Sequence, residues 1–260
     1  MTQYIQSIER AARVLTALSE GDNPMGVTEI AEKVNLGKST VHRILASLMQ
    51  ANLVRLNPSN HQYSLGYGLL QLTAGLLRGS EVSITALSHL RDLRQATGET
   101  VSLNVRDHDH RAVVERLDSL HEIRYMAEIG RPLPLYVGAG GKAILAFMDE
   151  TEVRRIQVLS KMNTKQVRQL NKELADIRAS GTAYTLGERL PGAGSISAPV
   201  FNHDGEVIAS VNVLCLEWRL DGKTVRDLRK LVRNTAADIS RELGWLAEGS
   251  RQTRESVAAK

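Results

Sequence analysis

Lys38, Ser39, Thr40, His42, Arg43 and Ser47 share one side of a short segment whose other side carries Val41, Ile44, Leu45, Leu48 and Met49 at i, i+3, i+4, i+7 and i+8. That pattern is a helix with an apolar stripe and an outward face of compact donors, two of them fixed cations. Such side chains reach phosphates and base edges when the N-terminus of their helix enters a major groove. Arg55, Asn60 and His61 are candidates for the same chemistry, in a stretch where two β-rich runs flank the polar turn Asn57-Pro58-Ser59-Asn60. Thr28 is a further candidate, placed where its hydroxyl would cap the start of the short helix that carries Ile30, Ala31 and Val34. The 260-residue chain carries a net charge of only +4, so totals argue weakly for a polyanionic partner. The local pattern argues strongly: no Asp or Glu occurs between Lys33 and Ser80, a span that holds Lys33, Lys38, Arg43, Arg55 and Arg78.

The elements that position these residues read as a helix-turn-helix with a wing. Ile30, Ala31 and Val34 give a first short helix one apolar face. Asn35-Leu36-Gly37 breaks it, with Gly37 free to take the positive φ of a sharp corner. A helix over residues 7–18, with Ile8, Ala11, Ala12, Leu15 and Leu18 inward, completes the core, and Asp22-Asn23-Pro24 turns the chain. After the hairpin, Leu69, Leu70, Leu72, Leu76 and Leu77 spread widely around a helix, which predicts burial against a second chain, the alternative being packing on its own domains.

Taken together, Ser7-Ile8-Glu9-Arg10-Ala11, Lys38-Ser39-Thr40-Val41-His42-Arg43, Tyr63-Ser64-Leu65-Gly66, Pro132-Leu133-Pro134-Leu135, Gly140-Gly141-Lys142-Ala143-Ile144-Leu145-Ala146 and Ser197-Ala198-Pro199-Val200 make the chain resemble the IclR-type bacterial transcriptional regulators over nearly all of its length. The resemblance implies an α+β protein: a winged helix-turn-helix domain (residues 1–66), a linker helix (67–80), a GAF-like α/β effector-binding domain (81–248) and a disordered tail (249–260). It also implies double-stranded operator DNA and a small organic acid as partners, a homodimer or dimer of dimers, and a repressor of catabolic genes.

The second half supports a small-molecule site on its own terms. An amphipathic helix over residues 83–95 ends at Gly98. Strands follow over 100–106, 111–117 and 123–128, the first two joined by Asp107-His108-Asp109-His110. Four adjacent ligand types on one hairpin tip cannot all face one ion, so these read as solvated turn residues. A glycine corner at Ala139, Gly140 and Gly141 opens a helix whose free N–H groups favour a small anion; the equal alternative is that the glycines simply allow tight packing. Asp149 and Asn163 cap outer helices. Strands over 195–202 and 206–216 meet at His203-Asp204-Gly205, and a helix over 222–247 closes the fold. Ser195, Ser197 and Asn212 are polar groups that a packed core does not need. By resemblance, the pocket adds Glu188 and Leu214 to Ala139, Gly140, Ser195, Ser197 and Asn212. Family members often carry a cysteine near Ser195 and serines at 212 and 214; the departures here weaken the case for a glyoxylate-like ligand and put a larger or less charged one, such as an aromatic acid, on an equal footing.

Composition excludes other classes. No run of eighteen apolar residues exists, the N-terminus has no basic-then-apolar leader, and the single cysteine, Cys215, forms no internal disulfide. These features fit a cytoplasmic, non-membrane protein. No Gly-X-Ser-X-Gly elbow, paired-histidine metal spacing or dinucleotide fingerprint occurs, so no catalytic residue, metal ligand or cofactor is expected. The rival reading is an enzyme domain fused to a DNA-binding module, which a nucleophile–base pair within hydrogen-bond reach would favour.

Overall fold

The computed structural model describes residues 5–21, 24–78 and 81–246. The expected tail over 249–260 and the Asp22-Asn23 part of the first turn lie outside the described residues. The chain divides into two compact units between residues 79 and 80.

In the first unit, α1 (Gln6–Ser19), α2 (Val27–Val34) and α3 (Lys38–Gln50) are followed by β1 (Val54–Asn57), β2 (Gln62–Leu65) and α4 (Gly68–Arg78). Val14, Leu18, Ile30, Val34, Val41, Leu45, Leu48, Val54 and Tyr63 form its core. Two local expectations change. The cap of α2 is Gly26 rather than Thr28, which is exposed one residue inside the helix. Met25 is held extended by paired backbone bonds to Tyr63 of the hairpin, so the helix begins directly after it. The left-handed residue of the corner is Asn35 (φ 51°), not Gly37 (φ −64°). Asn tolerates that conformation, and its N–H closes α2 onto Ala31 and Glu32. Of the stripe expected on α1, Leu18 is buried and Ala11 and Leu15 pack against the core beside Val14 and Ala17, while Ala12 is exposed and Ile8 is 64% exposed.

The second unit is built on a six-stranded sheet in the order β5-β4-β3-β8-β7-β6, antiparallel throughout. Its elements are α5 (Glu81–Thr97), β3 (Thr100–Asp107), β4 (His110–Leu117), β5 (Leu133–Pro134), α6 (Gly138–Leu145), α7 (Glu150–Leu159), α8 (Thr164–Ser180), β6 (Ala183–Leu186), β7 (Ala193–Phe201), β8 (Val207–Leu216) and α9 (Gly222–Glu242). Asp149 caps α7 by accepting from Thr151 N, and Asn163 caps α8 in a reciprocal box with Gln166. The expected third strand over 123–128 does not form. That segment is an irregular strap, attached by Thr100 Oγ1 donating to Tyr125 O and by one bridge between Val113 and Ile129.

Alternation gives the sheet two unlike faces. Val101, Leu103, Ile196, Ala198, Val211 and Val213 point to one side and pack on α5 and α9. Ser102 and Asn104 on β3 pair with Asn212 and Ser210 on β8, and Ser197 on β7 pairs with Asn212. These residues point to the other side, under α6. There Ser210 Oγ donates to Gly140 O at 2.9 Å.

Candidate functional site

The residues expected to contact DNA lie mainly on the outer face of α3. Lys38, Ser39, His42, Arg43 and Ser47 are exposed and Thr40 is half-buried. Among the described residues neither Lys38 nor Arg43 has an acidic partner within ion-pair distance. Arg55 differs. Its Nε donates to Ser64 Oγ at 2.9 Å, its Nη1 to Tyr67 Oη at 3.3 Å, and its guanidinium lies 5.0 Å from the Tyr67 ring centroid. It therefore braces the hairpin against the residue that leads into α4. At the hairpin tip Asn60 is tied to Gln62 twice, and His61 takes a left-handed φ of 56° that turns the chain back.

In the second unit a cavity of about 40 Å³ lies between the polar face of the sheet and the start of α6. Ala139, Glu188, Ser195, Asn212 and Leu214, all expected there, line it. Gly140, Gly141 and Ser197 do not. A Cβ on Gly140 would lie 2.9 Å from Asn104 Nδ2, and one on Gly141 only 2.4 Å from Leu135 O. Those two glycines let α6 pack tightly. Ser197 is wholly buried and donates to Val211 O at 2.7 Å.

The cavity groups form one network. Ser195 Oγ donates to Asn212 Oδ1 at 2.5 Å, and Asn212 Nδ2 donates to Ser102 Oγ at 3.4 Å. Ala139 N donates to Thr185 Oγ1 at 3.2 Å, so the free N–H at the start of α6 already has a hydroxyl partner. Ser195 thus donates to an amide rather than to a base. The buried Cys215 thiol is pushed up to about 12 by burial and by the Glu99 charge, which keeps it protonated.

Five polar cavity residues escaped the sequence reading: Ser102, Asn104, Arg111, Thr185 and Arg189. The Ser-Leu-Asn alternation of β3 was a usable signal for Asn104, the same signal that flagged Asn212. Arg111 had no local signal. Register alone carries it beside Asn104, whose Oδ1 accepts from Arg111 Nη1. Burial and the nearby Arg189 charge push the Arg111 guanidinium down to about 10, still charged at neutral pH. Gly138, the first residue of α6, takes a φ of +72°, and a Cβ there would stand 3.6 Å from Arg111 Nη2.

Glu188 faces the cavity from its rim, but both its oxygens are held by the buried Lys142, at 2.8 Å each. Lys142 also meets Glu173 of α8 at 2.7 Å. Burial pushes the Glu173 carboxyl up, yet hydrogen bonds from Lys142 and Gln169 and the Lys142 charge hold it below the usual value of 4.5. At the β3–β4 tip His108 bonds Asp107 and His110 bonds Asp109, each to its neighbour. No described group of three His, Cys, Asp or Glu residues could hold a metal ion. No described helix is long and apolar enough to cross a membrane.

Comparison with known proteins gives a consistent answer across the chain. Residues 7–58 match the IclR helix-turn-helix domain, and residues 74–241 match the C-terminal domain of bacterial IclR transcriptional regulators. The glycerol operon regulatory protein of Streptomyces griseus is 33% identical over 252 residues, spanning 94% of this chain and 98% of its own. The solved Thermotoga maritima IclR is 26% identical with a TM-score of 0.77, covering 93% of this chain and 100% of its own. An IclR homologue from Microbacterium hydrocarbonoxydans, solved with 4-hydroxybenzoate, shares the fold at 24% identity and a TM-score of 0.75, covering 91% and 98%.

Proposed function

The chain belongs to the IclR family of bacterial transcriptional regulators, and from that premise we propose that a small organic acid held under α6 governs its grip on operator DNA. The observation that carries the reading is the cavity itself: buried amides, hydroxyls and a guanidinium converge where close packing alone would place apolar side chains. The 4-hydroxybenzoate bound by a protein of the same fold supports an aromatic acid as one candidate. At about 40 Å³ the cavity is far below the ~300 Å³ at which ordinary ligand pockets begin. A ligand of that size therefore enters by displacing a wall. The movable wall is the 187–192 loop, latched to the strap where Tyr125 Oη donates to Pro191 O at 2.6 Å.

Lys38 and Arg43 carry the DNA contact, with Ser39, Thr40, His42 and Ser47 reading or positioning beside them. Asn60 and His61 present the hairpin tip to the duplex, and Arg55 acts on its orientation through Tyr67. Leu70, Leu72 and Leu76 of α4 are 64, 62 and 72% exposed, an apolar surface that a second copy of the chain covers in a homodimer or dimer of dimers. Binding of the acid shifts the population of DNA-competent geometries. A protein of this kind works where the DNA is, in the cytoplasm, as a repressor of catabolic genes. Adding a panel of small aliphatic and aromatic acids to the protein–duplex complex, followed by fluorescence anisotropy, tests the reading. At least one acid should change duplex affinity by tenfold or more; a panel with no effect removes the effector assignment.

A further inference from the structure

Arg111 is 6% exposed, yet no carboxylate among the described residues lies within ion-pair distance of it. Its one hydrogen bond among them goes to Asn104 Oδ1, and its Nε has none. Buried arginines ordinarily sit opposite an acid, because an unpaired charge away from water is costly. On the same cavity wall stands another cation, Arg189, from the 187–192 loop, whose charge adds to the cost of burying Arg111. The sole acid on the cavity wall, Glu188, is already held by Lys142.

The charges on and behind the cavity do not cancel. On the wall stand Arg111, Arg189 and Glu188, and behind it Lys142 is held by Glu188 and Glu173; the five charges sum to one positive. We propose that the effector is a monocarboxylate, and that Arg111 receives its carboxylate at the start of α6 with Arg189 as the second cation. The proposal rests on reading this cavity as the effector site and adds the ligand's charge and its anchor. A guanidinium presents a planar fork that matches two carboxylate oxygens, and the free Nε edge of Arg111 is the part of that fork still unused. One negative charge makes the set neutral. A neutral amide leaves the guanidinium uncompensated, and a dianion brings a surplus charge into a site whose remaining groups are amides and hydroxyls.

The test uses the full-length protein and thermal shift, with acetate, benzoate and 4-hydroxybenzoate set against acetamide, benzamide, 4-hydroxybenzamide and the dianion terephthalate. Arg111→Gln removes the anchor, and Leu214→Trp fills the cavity from the opposite wall. The expected result is that at least one monoacid raises the melting temperature at millimolar concentration. Its amide and terephthalate should do so at least tenfold less effectively, and both variants should abolish the response. If acid and amide act equally and Leu214→Trp blocks both, the cavity stands as the site and the Arg111 anchor is wrong. If the acid response survives Leu214→Trp, the cavity itself is wrong. Terephthalate acting as well as benzoate, or no monoacid acting on the wild type, overturns the monocarboxylate. Should Arg111→Gln fail to fold, the wild-type comparison of acid with amide decides alone.

Discussion

The two units each hold cations without acidic partners, and they do so under opposite conditions. On α3, Lys38 and Arg43 stand in water on a face cleared of acids. In the sheet domain, Arg111 is buried beside a second arginine. An exposed unpaired cation costs little, is screened within about 10 Å at ordinary salt, and suits a long polyanion met one phosphate at a time. A buried unpaired cation is expensive until an anion arrives and is shielded from salt. On the proposed reading, the first arrangement gives sequence-independent affinity that salt tunes, and the second a site that discriminates by ligand charge.

That contrast can be broken or sharpened by substitution. The largest effect should come from Lys142→Met, which strands Glu173 and Glu188 with no cation. Breaking a fully buried pair costs about 3–5 kcal/mol. Lys142 is buried but both carboxylates are about a third exposed, so denaturant unfolding should show a loss toward the lower end of that range, only weakly reduced at high salt. Arg43→Ala should weaken operator binding by about 1–3 kcal/mol if it reads a base edge. Lys38→Ala, at a phosphate, should weaken all duplexes alike and flatten the salt dependence; salt titrations on operator and random duplexes separate the two. Asn212→Leu leaves the hydroxyls of Ser195 and Ser102 without their amide, at about 1–3 kcal/mol for unsatisfied buried groups. It should still bind operator and no longer respond to the acid; normal release by the destabilised variant would end the role of Asn212. The smallest effect is at acid pH. Because the Glu173 carboxyl is held below 4.5 when folded, its contribution is present above that value and disappears as pH falls through the folded pKa. Glu173→Gln should therefore flatten the acid limb of the stability curve.

Legibility in the sequence divides along the same line. The α3 face was readable because a helix writes its two sides into a single run of residues. Val41, Leu45 and Leu48 are inward as their spacing requires. The hairpin, the outer caps at Asp149 and Asn163, and Asn212 on a polar strand face were readable for similar local reasons. Arg111 was not, because its neighbours come from another strand by register and from the first turn of α6. The strap over 123–128 misled because its apolar residues, Ile123 and Met126, imitate a strand, although they lie exposed. Thr28 and Gly37 misled because pairing of Met25 with Tyr63, and a left-handed Asn35, decided the helix boundaries instead.

The most direct test of the account is selection of bound sequences from a random duplex pool by the wild type and by Arg43→Ala. The account predicts that the wild type enriches a pseudo-palindrome with half-sites about 10–10.5 base pairs apart, or a multiple of that, and that Arg43→Ala loses the enrichment at one position of each half-site. Equal enrichment by both proteins, or none by the wild type, would contradict it.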